Sequence, residues 1–183
     1  MEINRKAVVR YLALIFGTMT LIPVVALGAL AISARSSDGP SVIFRGGVLE
    51  SGELVTDWES DWSFVRDIRT FELQLLNPPQ SRTLWLVEID GKLYLNSNYM
   101  GGLRERYWKR WPAQAQEDGR GIMRIRGKRY PLMLTRITSG PIVEKITEAF
   151  TRKYGVEMVP AEVDAKTLWL FEISPRDVTG GSS

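Results

Sequence analysis

The 183-residue chain contains no cysteine and no histidine. It therefore has no thiol nucleophile, no imidazole base, no disulfide and none of the common zinc ligand sets. Most hydrolytic mechanisms lose the residue that best carries them. No run of Lys or Arg exceeds two, although 24 basic residues face 21 acidic ones and the pI is near 9.3. Basic residues interleaved with acidic ones do not make the stripe that tracks a phosphate backbone, so nucleic acid is not an expected partner. A composition of 44% hydrophobic and 25% charged residues suits one ordinary globular core with an appendage.

Charge is also missing from one long stretch, "YLALIFGTMTLIPVVALGALAISA", which runs from Tyr11 to Ala34. About 20 apolar residues suffice to cross a hydrocarbon core, so the stretch reads as a transmembrane helix anchoring the chain to membrane lipid. Gly17, Pro23 and Gly28 would weaken a soluble helix but are tolerated in lipid. The competing reading is a cleaved signal peptide, since Ala29–Ala31 has small residues at a cleavage-like spacing. A retained anchor is favoured because the run is longer than a signal core. Arg5, Lys6 and Arg10 precede the span and Arg35 and Arg45 follow it, which places the N-terminus in the cytoplasm and the soluble domain outside it.

The expected organisation is a cytoplasmic segment 1–10, a span 11–34, a linker 35–41, a domain 42–176 and a disordered tail 177–183. "SVIFRGGVLESGELV" predicts a small strand or hairpin, and "TDWESDWSFVRDI" a helix capped by Thr56 or Asp57. Asp57, Glu59 and Asp61 complement a helix N-terminus, and no metal site is expected. "SRTLWLVEIDGKLYLNS" predicts a hairpin of Thr83–Ile89 and Lys92–Asn96 about Asp90-Gly91, a pair that supplies the positive φ of a two-residue turn. "GLRERYWKRW" predicts a helix ended by Trp111-Pro112. A second hairpin follows about Arg126-Gly127, whose basic flanks read as a solvated tip. Next come a helix stopped by Gly155, with Ile142, Ile146, Ala149 and Phe150 on one face, and a last strand Lys166–Ser174. Hairpins with interspersed helices argue an α+β fold, an antiparallel barrel or curled sheet.

That order, with the wording "SRTLWLVEIDGKLYLNSNYMGGLRERYWKRWP" followed by "GIMRIRGKRYPLMLTRI", resembles the split β-barrel flavoproteins of the pyridoxamine 5′-phosphate oxidase-like superfamily. The resemblance covers about Arg82 to Ile173. It implies a homodimer with FMN, or a deazaflavin in some branches, in a groove at the subunit interface. The phosphate would be held by Arg, Lys and hydroxyl side chains. By position, Arg82 matches the strand arginine, Asn96 and Ser97 the polar strand end, and Arg104 or Arg106 the start of the basic helix. The chain departs from the classical pattern in having Val87 in place of a lysine, and Met100-Gly101-Gly102-Leu103 in place of Ser-Arg-Lys.

Besides a different small β-rich fold with an unidentified partner or ligand, two functions remain open from the sequence. One is a membrane-anchored flavin- or deazaflavin-binding protein of oxidoreductase type, in which the cofactor would carry the redox chemistry and no catalytic side chain is assigned. The other is a cofactor-free binding or assembly module at the membrane. The junction from Asn96 to Arg106 is then an anion pocket or an ordinary polar turn, respectively.

Overall fold

The computed structural model describes residues 5–40, 45–98, 100 and 110–177. Helix α1 (Arg5–Arg35) is the predicted apolar helix, and its stretch Val9–Arg35 is long and apolar enough to cross a membrane. Strand β1 (Glu53–Leu54) and a 3₁₀ turn (Ser63–Asp67) follow. Then come β2 (Phe71–Leu76), β3 (Pro79–Leu84), β4 (Leu86–Ile89), β5 (Lys92–Ser97) and α2 (Trp111–Glu117). The chain ends with β6 (Arg120–Ile125), β7 (Lys128–Ile137), α3 (Ile142–Tyr154), α4 (Pro160–Asp164) and β8 (Trp169–Pro175).

One antiparallel sheet has the order β3-β2-β6-β7-β8-β5-β4, with β1 added in parallel to β7. Its two edge strands, β3 and β4, are separated in sequence by Trp85 alone. A single bent segment thus supplies both edges and draws them together, which curls the sheet into a split half-barrel. This is the fold class expected from the sequence.

Alternation along the strands builds two cores. Leu93 and Leu95 of β5, with Phe171 and Ile173 of β8, join Leu73 and Met123 inside the barrel. Their strand neighbours Tyr94 and Leu170 face outward and are buried under α3 by Ile146 and Phe150. Strands β4, β5 and β8 are therefore covered on both faces. Helix α3 buries one face and stops at Gly155, whose φ of 71° is the left-handed conformation of a C-terminal cap. Both predicted hairpin turns form, with positive φ at Asp90 and Gly91 and at Arg126 and Gly127.

Three expectations differ. Residues 55–62 form an irregular loop, not a helix; its Trp62 packs in the barrel core against Trp58 and Tyr130, at centroid separations of 4.9 and 5.2 Å. Three aromatics closing one barrel end outweigh a helix pattern only two turns long. The predicted strand Thr83–Ile89 is broken at Trp85, and only its second half pairs with β5. Trp111-Pro112 opens a helix, because proline fits a first turn whose N–H groups have no intrahelical partner. The remainder of the predicted helix, residues 101–109, lies outside the described residues.

Candidate functional site

The bend between β3 and β4 faces the end of β5 across a cavity of about 260 Å³. Thr83, Leu84 and Trp85 form one wall, Asn96, Ser97 and Asn98 another, and Trp111 lines it from α2. The bend is held from outside by Tyr154, whose ring stacks on Trp85 at 4.4 Å and 6°. Its hydroxyl accepts from the Leu86 N–H at 3.1 Å and donates to the Arg69 carbonyl at 2.7 Å. Lys153 donates to the carbonyls of Val65 and Leu86, each at 2.8 Å. Burial, with Arg69 nearby, brings its ammonium down to about 8.

Arg82 stands behind this cavity. On β3 it pairs with Leu73 of β2, a residue of the interior core, so its side chain shares the interior face. Its guanidinium carbon lies 5.5 Å from the Trp111 ring, which lines the cavity. The Nε and Nη2 atoms are buried and have no hydrogen-bond partner among the described residues. Burial, reinforced by Arg45, lowers the guanidinium to about 9, so it stays a cation at neutral pH. Arg45 is brought close by the bridge between Gly46 and Ser81, adjoining Arg82.

Asn96 and Ser97 are both buried but face opposite ways, as consecutive strand residues must. Asn96 follows Tyr94 to the outer side, and its amide donates to Asn98 at 2.6 Å and to the Met158 sulfur at 3.6 Å. Ser97 follows Leu95 to the inner side, with its hydroxyl 3.4 Å from the Met100 sulfur. Of the sequence-derived set, the structure brings together Arg82 and Ser97 around Trp111, whereas the Asn96 side chain is turned to the other face. Arg104 and Arg106 lie outside the described residues. Val87, where a lysine was expected from the resemblance, is 2% exposed in the core under α3 and has no route to the cavity.

Two features escaped sequence reasoning. Trp85 is a hinge residue between two strands, and Arg45 is drawn in beside Arg82 by a pairing between segments far apart in the chain. The flanks of the Arg126-Gly127 turn are also folded back. Arg124 bonds Glu72 and Asp38, Arg129 takes the carbonyls of Leu49 and Gly52, Lys128 pairs with Glu59, and Arg126 lies 4.7 Å from the Phe64 ring. The predicted solvated tip is instead a bonded corner of the barrel, because the loop from 49 to 59 brings carbonyls and carboxylates to it.

No protein-family model and no curated protein matches the sequence. Among solved structures, the chain is similar in shape to the conserved hypothetical protein Rv2991 of Mycobacterium tuberculosis. The identity is 12% and the TM-score 0.43, over 68% of this chain and 86% of that one. A candidate pyridoxamine 5′-phosphate oxidase of Listeria innocua gives 12% and 0.41, over 63% and 90%. ChuZ of Campylobacter jejuni gives 11% and 0.40, over 62% and 50%. The strand order itself carries the fold class, and these identities say nothing of activity.

Proposed function

We propose that the chain is a single-pass membrane protein whose split barrel binds a planar, anionic cofactor of the flavin or deazaflavin class at the β3–β4 bend. The buried Nε and Nη2 of Arg82, which have no hydrogen-bond partner among the described residues, are the observation that carries this reading. A buried charged donor without an acceptor costs free energy, and an anion placed against it recovers a charge-assisted bond. Arg45 adds positive potential, Ser97 a hydroxyl, and Trp85 and Trp111 offer apolar surfaces for a ring system. Arg82 and Ser97 would hold the cofactor, which when bound supplies electron or hydride transfer. The residues of this chain bind and orient it and keep water from the bend. Positive charge before α1 supports a cytoplasmic N-terminus with the barrel on the other side. A homodimer follows from the resemblance and is part of the same proposal.

A second reading, a cofactor-free binding or assembly module, is favoured by Val87, since burial of that position removes one expected phosphate ligand. The two separate on a spectrum. Full-length protein in detergent is titrated with FMN and with a deazaflavin, and any co-purified ligand is released for mass spectrometry. Saturable uptake, weakened about tenfold or more by Arg82→Ala, is expected for loss of a charge-assisted hydrogen bond. A colourless protein indifferent to every flavin would leave the module reading.

A further inference from the structure

Outside α1, the exposed large apolar side chains among the described residues are Val48, Leu54 and Val159, at 42%, 51% and 40%. Two of the three belong to the segment that clasps the end of α1. The Gly47 N–H donates to the Ser37 carbonyl at 3.1 Å. The N–H groups of Glu50 and Ser51 donate to the Asp38 carboxylate at 2.7 and 3.2 Å. Arg124 of β6 locks the arrangement, with Nη1 at 2.7 Å from both Asp38 and the Ser51 hydroxyl. A Cβ on Gly47 would stand 2.5 Å from the Arg35 carbonyl oxygen, so the loop backbone rests directly on the last turn of α1. Leu54 continues this corner, because Glu53 of β1 donates to Gly127 at the tip of the β6–β7 hairpin.

We propose that this corner of the barrel lies on the lipid surface, with Val48 and Leu54 in the interfacial layer as a continuation of the apolar surface of α1. The inference rests on reading α1 as a membrane helix. Asp38 is three residues beyond Arg35, a reach of about 10 Å at most. The headgroup layer on each side of a bilayer is about 5–8 Å deep. The segment is not extended to that limit, because the Ser36 and Ser37 N–H groups still donate to the Ser33 and Ala34 carbonyls, so a loop hydrogen-bonded to Ser37 and Asp38 stays at headgroup depth. Exposed Arg35 and Arg126 at this corner are offset by exposed Glu50 and Glu53, so apolar contact, and not anionic lipid, holds it. Zwitterionic phosphatidylcholine is sufficient.

The absence of native cysteine makes the test direct. An environment-sensitive fluorophore is attached to full-length Val48→Cys, Leu54→Cys, Val159→Cys and Leu21→Cys proteins in phosphatidylcholine nanodiscs carrying a headgroup-proximal spin-labelled lipid. Labels at 48 and 54 are expected to shift to the blue and to be quenched several-fold more than at 159, with adding Asp38→Ala reducing the effect at 48 but not at 21. Labels at 48 and 54 that behave like 159 while 21 stays lipid-protected would overturn the proposal alone. Loss of protection at 21 as well would overturn the membrane-helix reading and the proposal with it. A shift that persists in detergent and grows with protein concentration would assign the corner to a second copy of the chain and equally overturn it.

Discussion

Trp85 and Tyr154 lie face to face, with ring centroids 4.4 Å apart and planes 6° from parallel, at the point where one strand of the barrel becomes another. The ring holds the bend by area and the hydroxyl holds it by hydrogen bonds to Leu86 and Arg69. Tyr154→Phe keeps the stack and leaves the buried Leu86 N–H without that acceptor. The expected loss is about 1–3 kcal/mol in urea unfolding. Tyr154→Ala removes both and is expected to cost about 3–5 kcal/mol. Equal losses in the two variants would show that the hydroxyl alone holds the bend.

Arg82 carries the opposite sign. Its Nε and Nη2 have no hydrogen-bond partner among the described residues, so replacing the guanidinium with the apolar side chain of Arg82→Met is expected to raise the stability of the ligand-free protein by about 1–3 kcal/mol. For a chain of this size each kcal/mol is about 2–4 °C in Tm. The same variant is expected to lose flavin uptake. A lower Tm for Arg82→Met without ligand would mean that the guanidinium has a partner in the folded chain.

Asp38 makes the clasp on α1 sensitive to acid. Its carboxyl is held well below the usual carboxylate range by hydrogen bonding to the Ser51 hydroxyl, then by the Glu50 amide and Arg124. A carboxyl with a depressed folded-state pKa stabilises fully above its unfolded value, near 3.8, and loses that contribution as pH falls through the folded value. Amide exchange at Glu50 and Ser51 is therefore expected to stay slow at neutral pH and to accelerate, relative to the intrinsic rate, below about pH 4. Asp38→Asn should exchange fast throughout, with no such pH step.

Lys153 predicts an effect at alkaline pH. Its pKa falls from 10.5 to about 8 on folding, chiefly by burial. Between those values the unfolded chain binds more protons, so stability should rise with pH across this window. Tyr154 in contact with it is shifted upward by burial from 10.0 and so opposes this rise only as pH approaches 10, above the range compared. Unfolding free energies at pH 7.5 and 9.5 are expected to differ in the wild type and to converge in Lys153→Met. A wild-type stability that is flat or falling over this range would place Lys153 in a better solvated position than the structure gives it.

The sequence by itself determined the apolar helix, because 24 uncharged residues leave few alternatives, and both hairpins, because Asp90-Gly91 and Arg126-Gly127 set backbone conformation locally. It also pointed to the polar end of β5, whereas Arg82 was singled out by the family resemblance alone. The strand pair β2–β3 was not legible: proline at residues 78 and 79 interrupts it, and its partners are chosen by register with β6, a segment far along the chain. Only the tertiary structure decided that Asn96 and Ser97 serve different faces, that Val87 is core and that Arg45 adjoins Arg82. Local preference acts over a few residues, whereas facing, burial and the meeting of two cations are fixed by which strands pair and which helix covers them.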